Sequence, residues 1–97
     1  MYRTTERFPE RERFGLTQQM RRAAVSIPSN IAEGYGRQST GEYRHHLKIA
    51  RGSAAELETQ LLLARHLRMG PETSLAAPLQ QVDECSRMLA ALISKIG

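Results

Sequence analysis

The sequence has one cysteine, Cys85, and no tryptophan, and aromatic residues make up only 5% of its 97 positions. A lone thiol cannot close an internal disulfide, so a reducing, cytoplasmic setting is the expectation. No apolar run approaches the roughly 18–20 residues that a membrane span needs. Residues 1–13 are charged and lack the apolar core of a secretory signal. There is no Asn-Gly or Asp-Gly and no alternation of β-branched residues, so hairpin and strand signals are missing. Internal repeats and low-complexity stretches are absent too. So are a phosphate-cradling glycine loop, a nucleotide motif and a Ser-His-Asp arrangement, which argues against an enzyme.

What is present is positive charge and helical period. Fourteen Lys and Arg face ten Asp and Glu, for a net charge of +4 and a pI near 9.8. Residues 1–37 hold seven basic and four acidic groups, residues 38–70 five and three, and residues 71–97 two and three. The first two thirds would therefore draw an anionic partner. The length predicts a single domain over residues 1–97, with a thin margin of stability because so short a chain buries a modest share of its surface.

Three segments carry helical spacing. In residues 40–69, Tyr43, Leu47, Ala50, Ala54, Leu57, Leu61 and Ala64 alternate steps of four and three, an apolar seam over three heptads. Ser39 and Glu42 fit a capping box, and Gly70-Pro71 fits a stop. In residues 74–95 the seam is Val82, Cys85, Leu89 and Leu92, continuing to Ile96, with Pro78 expected in the first turn. In residues 14–34 it is Leu16, Met20, Ala23, Ile27, Ile31 and Gly34. Pro28 predicts a kink or a break near residues 26–29, where Ser29 or Asn30 could cap a restarted turn. Residues 1–13 are ambiguous, with Phe8-Pro9 a stop or a corner. The fold class is thus all-α, an antiparallel up-and-down bundle. Its small seam residues and unequal helices predict association with further copies of itself.

The run Arg21-Arg22-Ala23-Ala24-Val25-Ser26-Ile27-Pro28-Ser29-Asn30-Ile31-Ala32-Glu33-Gly34 is distinctive. With Phe8-Pro9, the stretch Glu12-Arg13-Phe14-Gly15-Leu16-Thr17, and Ser39, Glu42-Tyr43, Leu47, Ile49-Ala50, Gly52-Ser53 and Glu56-Leu57-Glu58-Thr59, it resembles the bacterial 23S rRNA intervening-sequence proteins. The resemblance covers residues 2–97 and is tightest over 12–64. It implies a four-helix bundle that assembles as a ring, typically a pentamer, and has no known catalysis. A related branch, the accessory protein of diversity-generating retroelements, is basic and binds both nucleic acid and a reverse transcriptase. The family pattern opens with a full first helix carrying a Trp-Gln motif. Only seven residues precede Phe8 here, so the expectation is either a misplaced start or a truncated first helix.

The best functional signal is a basic stripe. Arg44, Lys48 and Arg51 stand at i, i+4 and i+7 on one helix face, and Arg21, Arg22 and Arg37 add charge on neighbouring elements. Such a stripe can bind RNA or DNA through phosphates, because displaced counterions drive the association. It can equally be a solvated face bridged to Glu42 and Glu56 or to another subunit, in a protein scaffold with no nucleic-acid partner. No aromatic interrupts the stripe, so binding would be to the backbone with little sequence preference.

The remaining candidates read as structural. Adjacent His45 and His46 diverge by about 100° and cannot chelate one ion. They are expected at the surface, and neither a metal nor a cofactor is expected. Glu56 and Glu58 diverge by about 200°, too far for a catalytic carboxylate pair. Cys85 reads as a small buried hydrophobe. Asn30 and Glu33 are expected to bond backbone freed by Pro28 or to cross to the next helix.

Overall fold

The computed structural model describes residues 1–6, 13–70 and 72–96, and these are helices and their connections, with no strand among them. The order is α1 (Tyr2–Thr5), a π-type turn (Arg13–Thr17), α2 (Gln18–Tyr35), α3 (Thr40–His66) and α4 (Glu72–Lys95). The Phe8-Pro9 corner and Pro71 lie outside the described residues.

Helix α3 follows its seam closely. Leu47, Ala50, Ala54, Leu57, Leu61 and Ala64 are all buried, and Tyr43 is half-buried. Ser39 caps the start with extended backbone, its hydroxyl accepting the Glu42 N–H at 3.1 Å. The end differs from the Gly70-Pro71 stop. The helix closes at His66, and Arg68 takes a positive φ of 54°. The Met69 N–H bonds the Ala64 carbonyl at 3.0 Å and the Arg68 N–H bonds that of Arg65 at 3.1 Å, the paired pattern of a Schellman cap. Burial of Met69 beside Ala64 holds a non-glycine residue in that conformation.

Helix α2 starts four residues later than its apolar pattern does, because Gly15 (φ −96°, ψ −110°) is non-helical. It then runs unbroken through Pro28, so neither Ser29 nor Asn30 caps a restarted turn. Packing along α3 overrides the local cost of proline, about 3 kcal/mol. Asn30 does bond nearby backbone, its Nδ2 donating to the Ser26 carbonyl at 2.9 Å and to Ser26 Oγ at 3.0 Å. It also crosses to the next helix, with Oδ1 3.2 Å from His46 Nδ1, while Ser26 and Ser53 share a 2.8 Å hydroxyl contact. Glu33 instead pairs with Arg37.

Helix α4 begins before the expected start, which puts Pro78 in the helix interior rather than its first turn. The Ser74 carbonyl, which Pro78 cannot serve, accepts the Thr4 hydroxyl of α1 at 3.4 Å. The buried positions are Leu75, Val82, Leu89 and Ile93. Cys85 is half-buried and Leu92 remains 36% exposed, so the expected seam straddled two faces of this helix.

The helices make an up-and-down bundle with α3 central. At one end Met20 and Ala23 of α2 meet Ala54, Leu57 and Leu61 of α3 and Leu75 and Val82 of α4, with Met1 against them. At the other end Leu47 and Ala50 meet Leu89 and Ile93, and from α2 only Ile31 packs there. Helices α2 and α4 scarcely touch among the described residues. Among the described residues one turn, α1, precedes the π-type turn, and it packs at the Met20 end of the bundle. At the other end lies an apolar groove of about 620 Å³, lined by Leu47, Ile31, Cys85, Met88 and Leu92 among others.

Candidate nucleic-acid interface

The heptad period of α3 puts its seam on one face and Arg44, Lys48 and Arg51 together on an exposed flank. Lys48 and Arg51, with Gly52 and Ala55, meet Ser86 and Ile93 of α4 around a shallow hollow of about 470 Å³. All three cations are exposed, and among the described residues none takes part in an ion pair. Neither expected neutralising carboxylate reaches them: Glu42 lies 3.7 Å from Arg37, and Glu56 accepts from Gln60 at 3.2 Å. Among the described residues the flank thus carries charge without an ion-pair partner along about 10 Å of helix. Two of its three groups are guanidiniums, whose planar forks match phosphate oxygens bidentately.

The other basic residues are placed differently. Arg37, in the α2–α3 turn, is held between Glu33 and Glu42. Arg21 is half-buried at the opposite end of the bundle, where its Nε donates to Thr5 Oγ1 at 2.8 Å and its guanidinium lies 4.3 Å from the Tyr2 ring centre. It clamps α1 onto α2. Thr5 is itself buried, and its hydroxyl also reaches the Met1 and Tyr2 carbonyls at 3.0 and 3.2 Å. Arg22 is exposed one residue further on. The structure therefore gathers Arg44, Lys48 and Arg51 and leaves Arg21 and Arg22 at the far end.

Two features were not legible in the residue spacing. One is the contribution of Ser86 and Ile93 to the hollow, which depends on how α4 docks. The other is His46, expected at the surface but half-buried and bonded to Asn30. The His45 and His46 rings stand edge to face, 5.6 Å apart. No group of three or more His, Cys, Asp or Glu that could hold a metal occurs among the described residues. The nearest aromatics, Tyr35 and Tyr43, pack edge to face at 6.3 Å, and Tyr43 belongs to the core side of α3.

The helical bundle and the distinctive α2 segment converge on the resemblance drawn from the sequence. The family described as 23S rRNA-intervening sequence protein matches residues 1–91. The chain belongs to that family. A comparison with curated proteins found no match. The family description carries no catalytic implication. No helix among the described residues is long and apolar enough to cross a membrane.

Proposed function

We propose that this intervening-sequence protein is a non-catalytic, cytoplasmic bundle that associates with copies of itself and binds the backbone of RNA or DNA through Arg44, Lys48 and Arg51. The observation that carries the reading is the stripe itself: three exposed cations on one flank, without a carboxylate partner among the described residues, in the positive part of the chain. Self-association strengthens it, since each added copy brings another +4. The charge is spread along a helix face with no stacking aromatic, so the expected recognition is of phosphates rather than bases.

Fluorescence anisotropy with a labelled structured RNA and a labelled DNA duplex tests it. Three neutralised phosphates per protomer predict about a 40-fold loss of duplex affinity between 50 and 200 mM salt. Arg44→Glu with Arg51→Glu should weaken binding further and flatten the salt dependence. Absence of binding at low salt would overturn the reading. It would favour the second one, a protein scaffold, for which the apolar groove is the supporting observation and for which the retroelement branch suggests a reverse transcriptase as partner.

A further inference from the structure

The hollow between α3 and α4 holds more than two cations. Lys48 and Arg51 line it from α3 and Ser86 from α4, together with Gly52, Ala55 and Ile93. None of these residues is acidic. The carboxylates of α4 nearest to Ser86 in sequence are engaged elsewhere, Asp83 with Arg87 at 3.0 Å and Glu84 with Gln80 at 3.3 Å. Ser86 is half-buried, and its hydroxyl makes no hydrogen bond among the described residues. A hydroxyl on a helix can bond the carbonyl one turn back, as Thr59 does to Ala55 at 3.0 Å. Ser86 does not, so its proton is left for another acceptor. Gly52 is the second residue that the fold alone does not explain. It sits in the interior of α3, where glycine weakens a helix. Packing does not require it, since a Cβ there would meet nothing within 4 Å. The missing side chain leaves the α3 side of the hollow bare, which lets a ligand come close to the backbone.

We propose that this hollow seats a single phosphodiester group of an RNA or DNA strand, with Lys48 and Arg51 pairing its oxygens and the Ser86 hydroxyl donating to one of them. Arg51 supplies a planar fork, Lys48 a point charge, and Ser86 a neutral donor that fixes where the phosphate sits. The proposal rests on the nucleic-acid reading and adds to it a defined position and a residue of α4. Arg44 does not line the hollow. It stands one turn from Lys48, about 6 Å along the helix, and takes the neighbouring phosphate of the strand. A free phosphate ion offers Arg44 no such neighbour, so the arrangement suits a polymer backbone better than a lone anion.

Anisotropy with the labelled structured RNA at about 100 mM salt, repeated as salt is varied, tests it. Ser86→Ala deletes one charge-assisted hydrogen bond and no charge. It should raise Kd about tenfold and leave the slope against salt as in the wild type. Gly52→Leu fills the hollow, again without a change of charge, and should weaken binding at least as much. Helical circular dichroism of both variants should match the wild type. Ser94→Ala, at an exposed serine of α4 outside the hollow, should bind as the wild type does. Millimolar inorganic phosphate at fixed ionic strength should not displace the RNA. A wild-type chain that binds no RNA would overturn the nucleic-acid reading and the phosphate seat together. Binding that Arg44→Glu with Arg51→Glu abolishes, but that Ser86→Ala leaves unchanged, would overturn the seat alone and leave a stripe of charge. Displacement by inorganic phosphate would overturn the polymer backbone as its occupant.

Discussion

Gly34 gives the sharpest test of how α2 and α3 fit together. It is buried near the end of α2, and a Cβ built there would sit 2.7 Å from His46 Cβ, 3.2 Å from a Tyr43 ring carbon and 3.3 Å from the Tyr43 carbonyl oxygen. Neither His46 Cβ nor the Tyr43 carbonyl is the loose end of a side chain, so a rotamer change cannot relieve the clash. Ordinary contact begins near 3.4 Å, so the helices must separate by about 0.7 Å, which would also strain the Asn30–His46 hydrogen bond. On propensity alone, Gly34→Ala should stabilise a helix by about 0.5–1 kcal/mol. Overpacking at a close contact costs about 1–3 kcal/mol. The clash outweighs the gain in helix propensity, and the expected net effect is about 1–2 kcal/mol of destabilisation, a fall in Tm of roughly 5–15 °C for a chain this size. Gly52, in the interior of α3, supplies the control, since nothing lies within 4 Å of a Cβ there. Gly52→Ala should therefore raise stability by about 1 kcal/mol. Thermal unfolding followed by circular dichroism, with all three proteins at one concentration so that self-association does not enter the comparison, measures both signs. A Gly34→Ala chain as stable as the wild type would refute the close approach of α2 to α3 at this point.

Arg68→Gly should stabilise the chain by about 1 kcal/mol, because glycine adopts the left-handed cap of α3 without the strain an arginine bears there. A lowered Tm in denaturation would count against the Schellman geometry. Leu57→Asp places a charge without a partner at a position only 4% exposed, and should unfold the protein. An unchanged Tm and mass would show that α3 buries a different face.

Much of the fold was legible because helical period and burial are linked: a seam of apolar residues on one face has to be covered. The α3 seam, the Ser39 cap and the all-α class follow from that. The prolines misled because propensity is a local quantity. Pro28 sits inside α2, and Pro78 is deeper in α4 than its sequence context suggested, since packing against α3 outweighs one lost hydrogen bond and Thr4 supplies a donor to the Ser74 carbonyl. The α4 seam misled because two apolar stripes lie side by side there. One, with Val82 and Leu89, faces α3, and the other, with Cys85 and Leu92, faces the groove. Spacing along one helix cannot tell a stripe that meets a neighbour from one that does not.

The candidate site divides in the same way. Sequence placed Arg44, Lys48 and Arg51 on one helix face, because positions four and seven apart must align on an α-helix. It could not say which cations remain free. Arg37 meets Glu33 and Glu42 only because the α2–α3 turn folds back, and Arg21 meets Thr5 and Tyr2 only because α1 docks beside it. The sequence by itself determined the helices and the faces they carry, since these depend on neighbours within a turn or two. Tertiary structure decided which charges are engaged inside the fold and which apolar stripe is left uncovered, because both depend on residues that are distant in the chain and adjacent only after packing.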